Sequence, residues 1–197
     1  MLWSKVNRPA NGPPPEDASN SEDAATSPIT DPRLQAGVDY WRRKAEALGR
    51  ALPRRGDIDP SEIPKLLPDI MLVDVLPEGR YRYRLIGTAN ANEQGINATG
   101  RYLDEVLPGP EYKTHVIGLY DECVGNRRPL YTELLFIGVA QDVVQRHTKV
   151  LLMPLADDGE HVNIVMVMQV FFYADQAMRN RHFIEARPYR EIVRVLL

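Results

Sequence analysis

The last third of the chain alternates. Over residues 161–173, Val162, Ile164, Met166, Met168, Val170 and Phe172 fall on one parity. His161, Asn163, Val165, Val167, Gln169, Phe171 and Tyr173 fall on the other. A period of two is the period of a strand. The runs 130–138 and 143–155 are equally rich in β-formers, and Ala140-Gln141-Asp142 and Asp157-Asp158-Gly159 read as the turns of a three-strand meander. Near the middle, residues 79–88 read GRYRYRLIGT. Arg80, Arg82 and Arg84 alternate with Tyr81, Tyr83 and Leu85, which predicts a strand with one cationic and one aromatic face. Its partner is 71–76, across the turn Pro77-Glu78-Gly79.

The first third is spaced for a helix. Leu34, Val38, Trp41, Ala45, Leu48 and Leu52 recur every three or four residues after Asp31-Pro32, a cap followed by a first-turn proline. Arg42, Arg43, Glu46 and Arg50 occupy the opposite face. A stripe of this length suits a helical dimer seam as well as a domain core. Leu34, Val38, Trp41 and Leu48 are therefore the candidate interaction surface, and a homodimer is the expected state. Asp59-Pro60 with Glu62 opens a short helix cut by Pro64 and Pro68. Residues 88–107 are polar and broken, with one short helix ending at Gly95 and another over 102–107. In the following helix Tyr112, His115, Val116, Leu119, Tyr120 and Cys123 share a side, and Gly125 is the stop. Residues 1–30 lack the apolar groups to offset their ordering entropy and read as disordered. The Arg-rich end, 174–197, closes on EIVRVLL, a docking helix or strand.

Composition narrows the function. The chain has 197 residues, room for one domain, and a formal net charge of −3, which makes no global case for nucleic acid. Neither GxxxxGK[ST] nor GxGxxG occurs. One cysteine, Cys123, allows no intrachain disulfide and no cysteine-built zinc site. No apolar run reaches the roughly 18 residues of a membrane span, and the N-terminus lacks a signal-peptide core. The expectation is a cytoplasmic protein with no membrane, nucleic-acid or metal partner.

The order helix, short helix, two strands, short helices, a longer helix and three strands predicts an α+β fold. It is one five-stranded antiparallel sheet with helices on one face, preceded by an amphipathic helix. The segments DIDPSEIPKLLPDIMLVDV, RYRLIGT and TGRYLDEVL make the pattern specific. Asp57 to Pro60, Leu66 to Pro68, Asp74, Arg84 to Thr88, Thr99 to Arg101 and Leu103 to Glu105 resemble stand-alone PAS domain proteins of alphaproteobacteria. The resemblance runs from about Trp41 to Phe172. Together with the composition and patterning, it divides the chain into a tail over 1–30, a helix over 31–55, a PAS domain over 56–173 and an extension over 174–197.

It also implies a ligand cavity between sheet and helices. The candidate lining residues are Tyr83, Asn92, His115, Leu119, Cys123, Phe136, Met153, Met166 and Met168. Methionine suits an adaptable pocket, although ordinary core filling accounts for each of these residues as well. His115 lies on the helix where haem-binding PAS domains place their proximal ligand. Cys123 sits in DECVGNRRP rather than the NCRFLQ of flavin-binding LOV domains, and reads as a small buried hydrophobe. No cofactor is assigned, although a haem- or other cofactor-binding sensor is an alternative. A small cone-shaped enzyme is another, and needs a convergent acid/base pair such as Glu133 with His147. Arg127-Arg128 and the basic tail suit an acidic partner. With no kinase, cyclase or DNA-binding segment outside the PAS core, the expected protein is a non-enzymatic signalling module. It would act near two-component signalling through a regulatory protein such as a histidine kinase, with a small-molecule ligand as the gate.

Overall fold

The computed structural model describes residues 27–137, 144–174 and 188–197. Helix α1 spans Pro32–Ala47, with Asp31 accepting from the Arg33 and Leu34 amides and Pro32 in the first turn. This is the predicted start. The helix stops before Leu52 because Gly49 turns left-handed, with φ 58°. The expected short helix after Asp59 is instead a run of 3-10 turns, over Arg55–Asp57, Pro60–Glu62 and Leu67–Asp69. Closely spaced prolines leave too few amide donors for a longer helix.

Strands β1 (Ile70–Val75) and β2 (Tyr81–Ile86) pair antiparallel, but a bulge between Leu72 and Val73 breaks their register opposite Arg84. Tyr81 and Tyr83 are buried on one face as expected. Leu85 is not: the bulge turns it outward to 44% exposure, and Ile86 joins the tyrosines instead. The arginines are not a free cationic face. Asp74 holds Arg82 at 3.0 Å and Arg84 at 2.7 Å, and Arg80 reaches Asp104 at 2.8 Å.

Helices α2 (Thr88–Gln94), α3 (Leu103–Val106) and α4 (Pro110–Asn126) follow, then β3 (Leu130–Ile137), β4 (Val144–Leu155), β5 (Ile164–Tyr173) and β6 (Tyr189–Leu196). Every pairing is antiparallel, and the order is β2-β1-β5-β4-β3-β6. The sheet thus has six strands rather than five, because EIVRVLL pairs with β3. The turn expected at 140–142 lies outside the described residues.

The sheet buries both faces. Against one lie α3 and α4, with Met71, Val73, Tyr81, Tyr83, Leu119, Tyr120, Cys123, Leu152, Val165 and Val167 between. Against the other lies α1, with Leu34, Val38, Trp41, Leu151, Met153, Met166, Met168 and Val170. The helices of the central stretch thus cover one face, as expected, and the N-terminal helix, whose partner the sequence left open, covers the other. The apolar stripe of α1 is consumed inside the fold: Leu34 and Val38 are wholly buried, and the Trp41 indole donates to the Pro154 carbonyl at 2.9 Å. Of the four residues expected at an interaction surface, Leu48 alone is exposed. Order also begins earlier than residue 31, since Ile29 is buried in the α1 core. Residues 1–26 of the expected tail lie outside the described residues.

Candidate functional site

Between the sheet and α4 the packing leaves a cavity of about 130 Å³. Its floor is the inward parity of the strands: Met71, Tyr83, Leu134, Phe136, Arg146, Val150, Leu152, Val167, Gln169 and Phe171. Its roof comes from Glu93 and Ile96, from 106–108, and from Tyr112, Val116, Leu119 and Tyr120 of α4, spaced at three and four. A dry cavity of about 150 Å³ admits benzene, so this one matches a single ring.

The polar groups are few. Tyr83, Tyr112 and Tyr120 line the cavity, and none of the three hydroxyls has a hydrogen-bond partner among the described residues. Burial pushes each phenol up, with neighbouring phenols adding to this at Tyr83 and Tyr120 and the Arg146 guanidinium opposing it at Tyr112, so all three are neutral donors at ordinary pH. Gln169 offers an amide from β5. Arg146 of β4 is nearly buried, with its guanidinium carbon 4.3 Å from the Phe136 ring centroid and 5.4 Å from that of Phe171. Its Nη1 donates to Glu93 Oε1 of α2 at 3.1 Å.

The structure keeps Tyr83, Leu119 and Phe136 of the expected lining and displaces the rest. Met153, Met166 and Met168 face α1, on the opposite parity from the cavity. Asn92 lies outside the lining; on the same helix Asn90 is buried and donates to the Asp69 carbonyl at 2.9 Å. His115 turns toward β6, its ring 5.1 Å from that of Tyr189 and its Nδ1 accepting from Arg194 at 3.5 Å. Burial lowers its pKa. Facing β6, His115 is not poised to ligate a haem in a single-ring cavity. Cys123 is buried on the core face of α4 and is not in the lining, so a flavin adduct there has no geometric support. Sequence reasoning missed Arg146 and Glu93. Arg146 stood on the inward parity of β4, but a charged residue in a strand reads first as solvent-facing.

Burial also pushes the Cys123 thiol up to about 12, so it is not a thiolate at neutral pH. Iodoacetamide at neutral pH should leave the folded protein unmodified and label it only in denaturant, as intact mass will show. Rapid labelling of the folded chain would contradict this burial.

Glu133 and His147 do pair, at 2.6 Å, with Lys149 at 3.5 Å and the Tyr131 hydroxyl also donating to Glu133. Glu133 is buried rather than a surface partner. The cluster lies on the α1 face, across the sheet from the cavity, where it serves as a polar patch in the second core. Among the described residues no group of three or more His, Cys, Asp or Glu could hold a metal ion, and no helix is long and apolar enough to cross a membrane.

Several solved structures align with part of the chain. A Rhodobacter sphaeroides LOV protein is 17% identical, with 62% of this chain and 73% of that one aligned at a TM-score of 0.41. A sensory box sensor histidine kinase from Vibrio cholerae is 12% identical over 72% of this chain and 99% of that one, at 0.41. The PAS domain of Bordetella pertussis BvgS is 16% identical over 60% and 90%, at 0.34. No curated protein matches the chain. The sequence profile described as PAS domain matches residues 29–169, from the buried Ile29 before α1 to Gln169 in the cavity floor. That span holds α1, strands β1 to β4 and the first part of β5, and by it the chain belongs to the PAS domain family.

Proposed function

We propose that this PAS domain is a non-catalytic, ligand-gated module that reports the occupancy of its cavity to another regulatory protein. PAS membership supports a sensory or signalling role. The observation that carries the finer reading is the cavity: lined mainly by apolar groups, the size of one ring, with three phenols in its wall that have no hydrogen-bond partner among the described residues. Phenol donors aimed into such a cavity favour a ligand or water that accepts from them. A catalyst is a poorer reading, because among the described residues the lining has no histidine, cysteine or lysine to act beside Glu93. The partner is read as a protein such as a histidine kinase, in keeping with the resemblance to stand-alone PAS proteins.

Native mass spectrometry of the full-length protein, against its denatured mass, tests the reading. The expected result is an added small mass lost on denaturation, and its loss in Val150→Phe, whose ring grows into the cavity from β4. Val150 is only partly buried, so the variant is expected to fold. An adduct that persists in Val150→Phe lies elsewhere and removes the cavity from the proposal.

A further inference from the structure

Among the described residues, Arg146 and Glu93 are the only charged side chains in the cavity wall, and they come from opposite sides of it. Arg146 is anchored in the sheet, between β3 and β5 neighbours, and fixed by the rings of Phe136 and Phe171. Glu93 belongs to the last turn of α2, a helix of seven residues that ends at Gly95 with φ 69°. The exposures of the two side chains are 8% and 10%. A guanidinium this buried requires a carboxylate beside it, and Glu93 supplies one. The ion pair therefore ties α2 to the sheet across the cavity.

We infer that the cavity is built for a single-ring carboxylic acid, whose carboxylate takes Arg146 from Glu93 and so releases α2 from β4. This rests on the sensory reading above. Three features favour that chemistry. The volume and the apolar wall suit one ring. Exchange of one monoanion for another keeps the buried charge balanced, whereas a phosphate dianion leaves an excess negative charge in low dielectric. The planar guanidinium fork matches a carboxylate, and the neutral phenols of Tyr83, Tyr112 and Tyr120 remain to donate to polar ring substituents. The signal is then the fate of Glu93, which leaves the site as the ligand arrives.

The test is isothermal titration calorimetry of the full-length protein with benzoate and with benzamide, its neutral isostere. Benzoate is expected to bind at least about tenfold more tightly, the scale of one charge-assisted hydrogen bond. Glu93→Gln removes the competing charge and is expected to tighten benzoate by about the same factor while leaving benzamide nearly unchanged. Arg146→Gln is expected to erase the preference; the Glu93→Gln arm does not depend on that variant folding. Equal binding of the two probes overturns the carboxylate assignment and leaves the sensory cavity standing. So does binding of neither probe beside a native adduct that Val150→Phe removes. Weaker benzoate binding in Glu93→Gln would show that Glu93 helps to hold the ligand, and would overturn the displacement.

Discussion

Trp41→Ala is expected to cost about 3–5 kcal/mol, the range for truncating a buried aromatic side chain. Against a typical total of about 5–15 kcal/mol, that takes much of the stability of the domain. The side chain is 6% exposed and sits in the core that α1 makes with β4 and β5. Its truncation leaves a void beside Leu34, Val38 and Met153, and removes the donor that reaches the Pro154 carbonyl. Trp41→Phe keeps most of the ring and loses chiefly the hydrogen bond, and should cost about 1–2 kcal/mol. Urea unfolding followed by far-ultraviolet circular dichroism measures both. The loss should not depend on protein concentration, because the contacts lie within one chain. An unchanged urea midpoint together with dissociation of a dimer would return Trp41 to the role of a seam between chains.

Gly87→Ala should be comparably damaging, for a different reason. The φ of Gly87 is −64°, which any residue adopts, so backbone freedom is not the issue. Space is. A Cβ built there lies 2.6 Å from the Ile70 carbonyl oxygen and closer still to those of Leu67 and Pro68. Three backbone oxygens crowd the position because the Gly87 amide donates to the Ile70 carbonyl at 2.8 Å, which brings the start of α2 against the turn before β1. Backbone cannot swing aside as a side chain can. The cost is expected at the upper end of the about 1–3 kcal/mol seen for overpacking, or above it. Gly37→Ala is the informative contrast. Its Cβ would meet the Met168 sulfur, the end of a flexible side chain that can rotate away, so the penalty should be smaller. Thermal denaturation of the two variants side by side ranks them. Gly87→Ala melting with the wild type would mean that α2 approaches the sheet less closely.

Much of the fold was legible because its strands alternate. The two parities of β5 were separable in the sequence, and the structure sends one to each core. Parity does not say which helix covers which face. With the packing partner of the N-terminal helix left open, the methionine parity looked like a cavity lining, and Met153, Met166 and Met168 went to the wrong layer. The stripe of α1 was equally ambiguous: spacing shows that Leu34, Val38 and Trp41 are buried, not by what. Leu85 was misplaced because a bulge is one residue that shifts parity, and nothing in RYRYRLI marks it. Of the site, the aromatic members Tyr83 and Phe136 were legible from parity. Arg146 and Glu93 were not, because their burial depends on each other, and they stand 53 residues apart in sequence.

One sheet serves as the common wall of two cores, and that limits how the cavity can change shape. Val167 touches the cavity while its chain neighbours Met166 and Met168 touch the α1 layer. The wall is a single backbone thick, so a bend that makes room on one side takes room from the other. Close packing leaves no slack to absorb it. The natural place to read a deformation of the cavity is therefore not its mouth but the opposite side of the wall, where α1 lies against Met168 at the notch of Gly37.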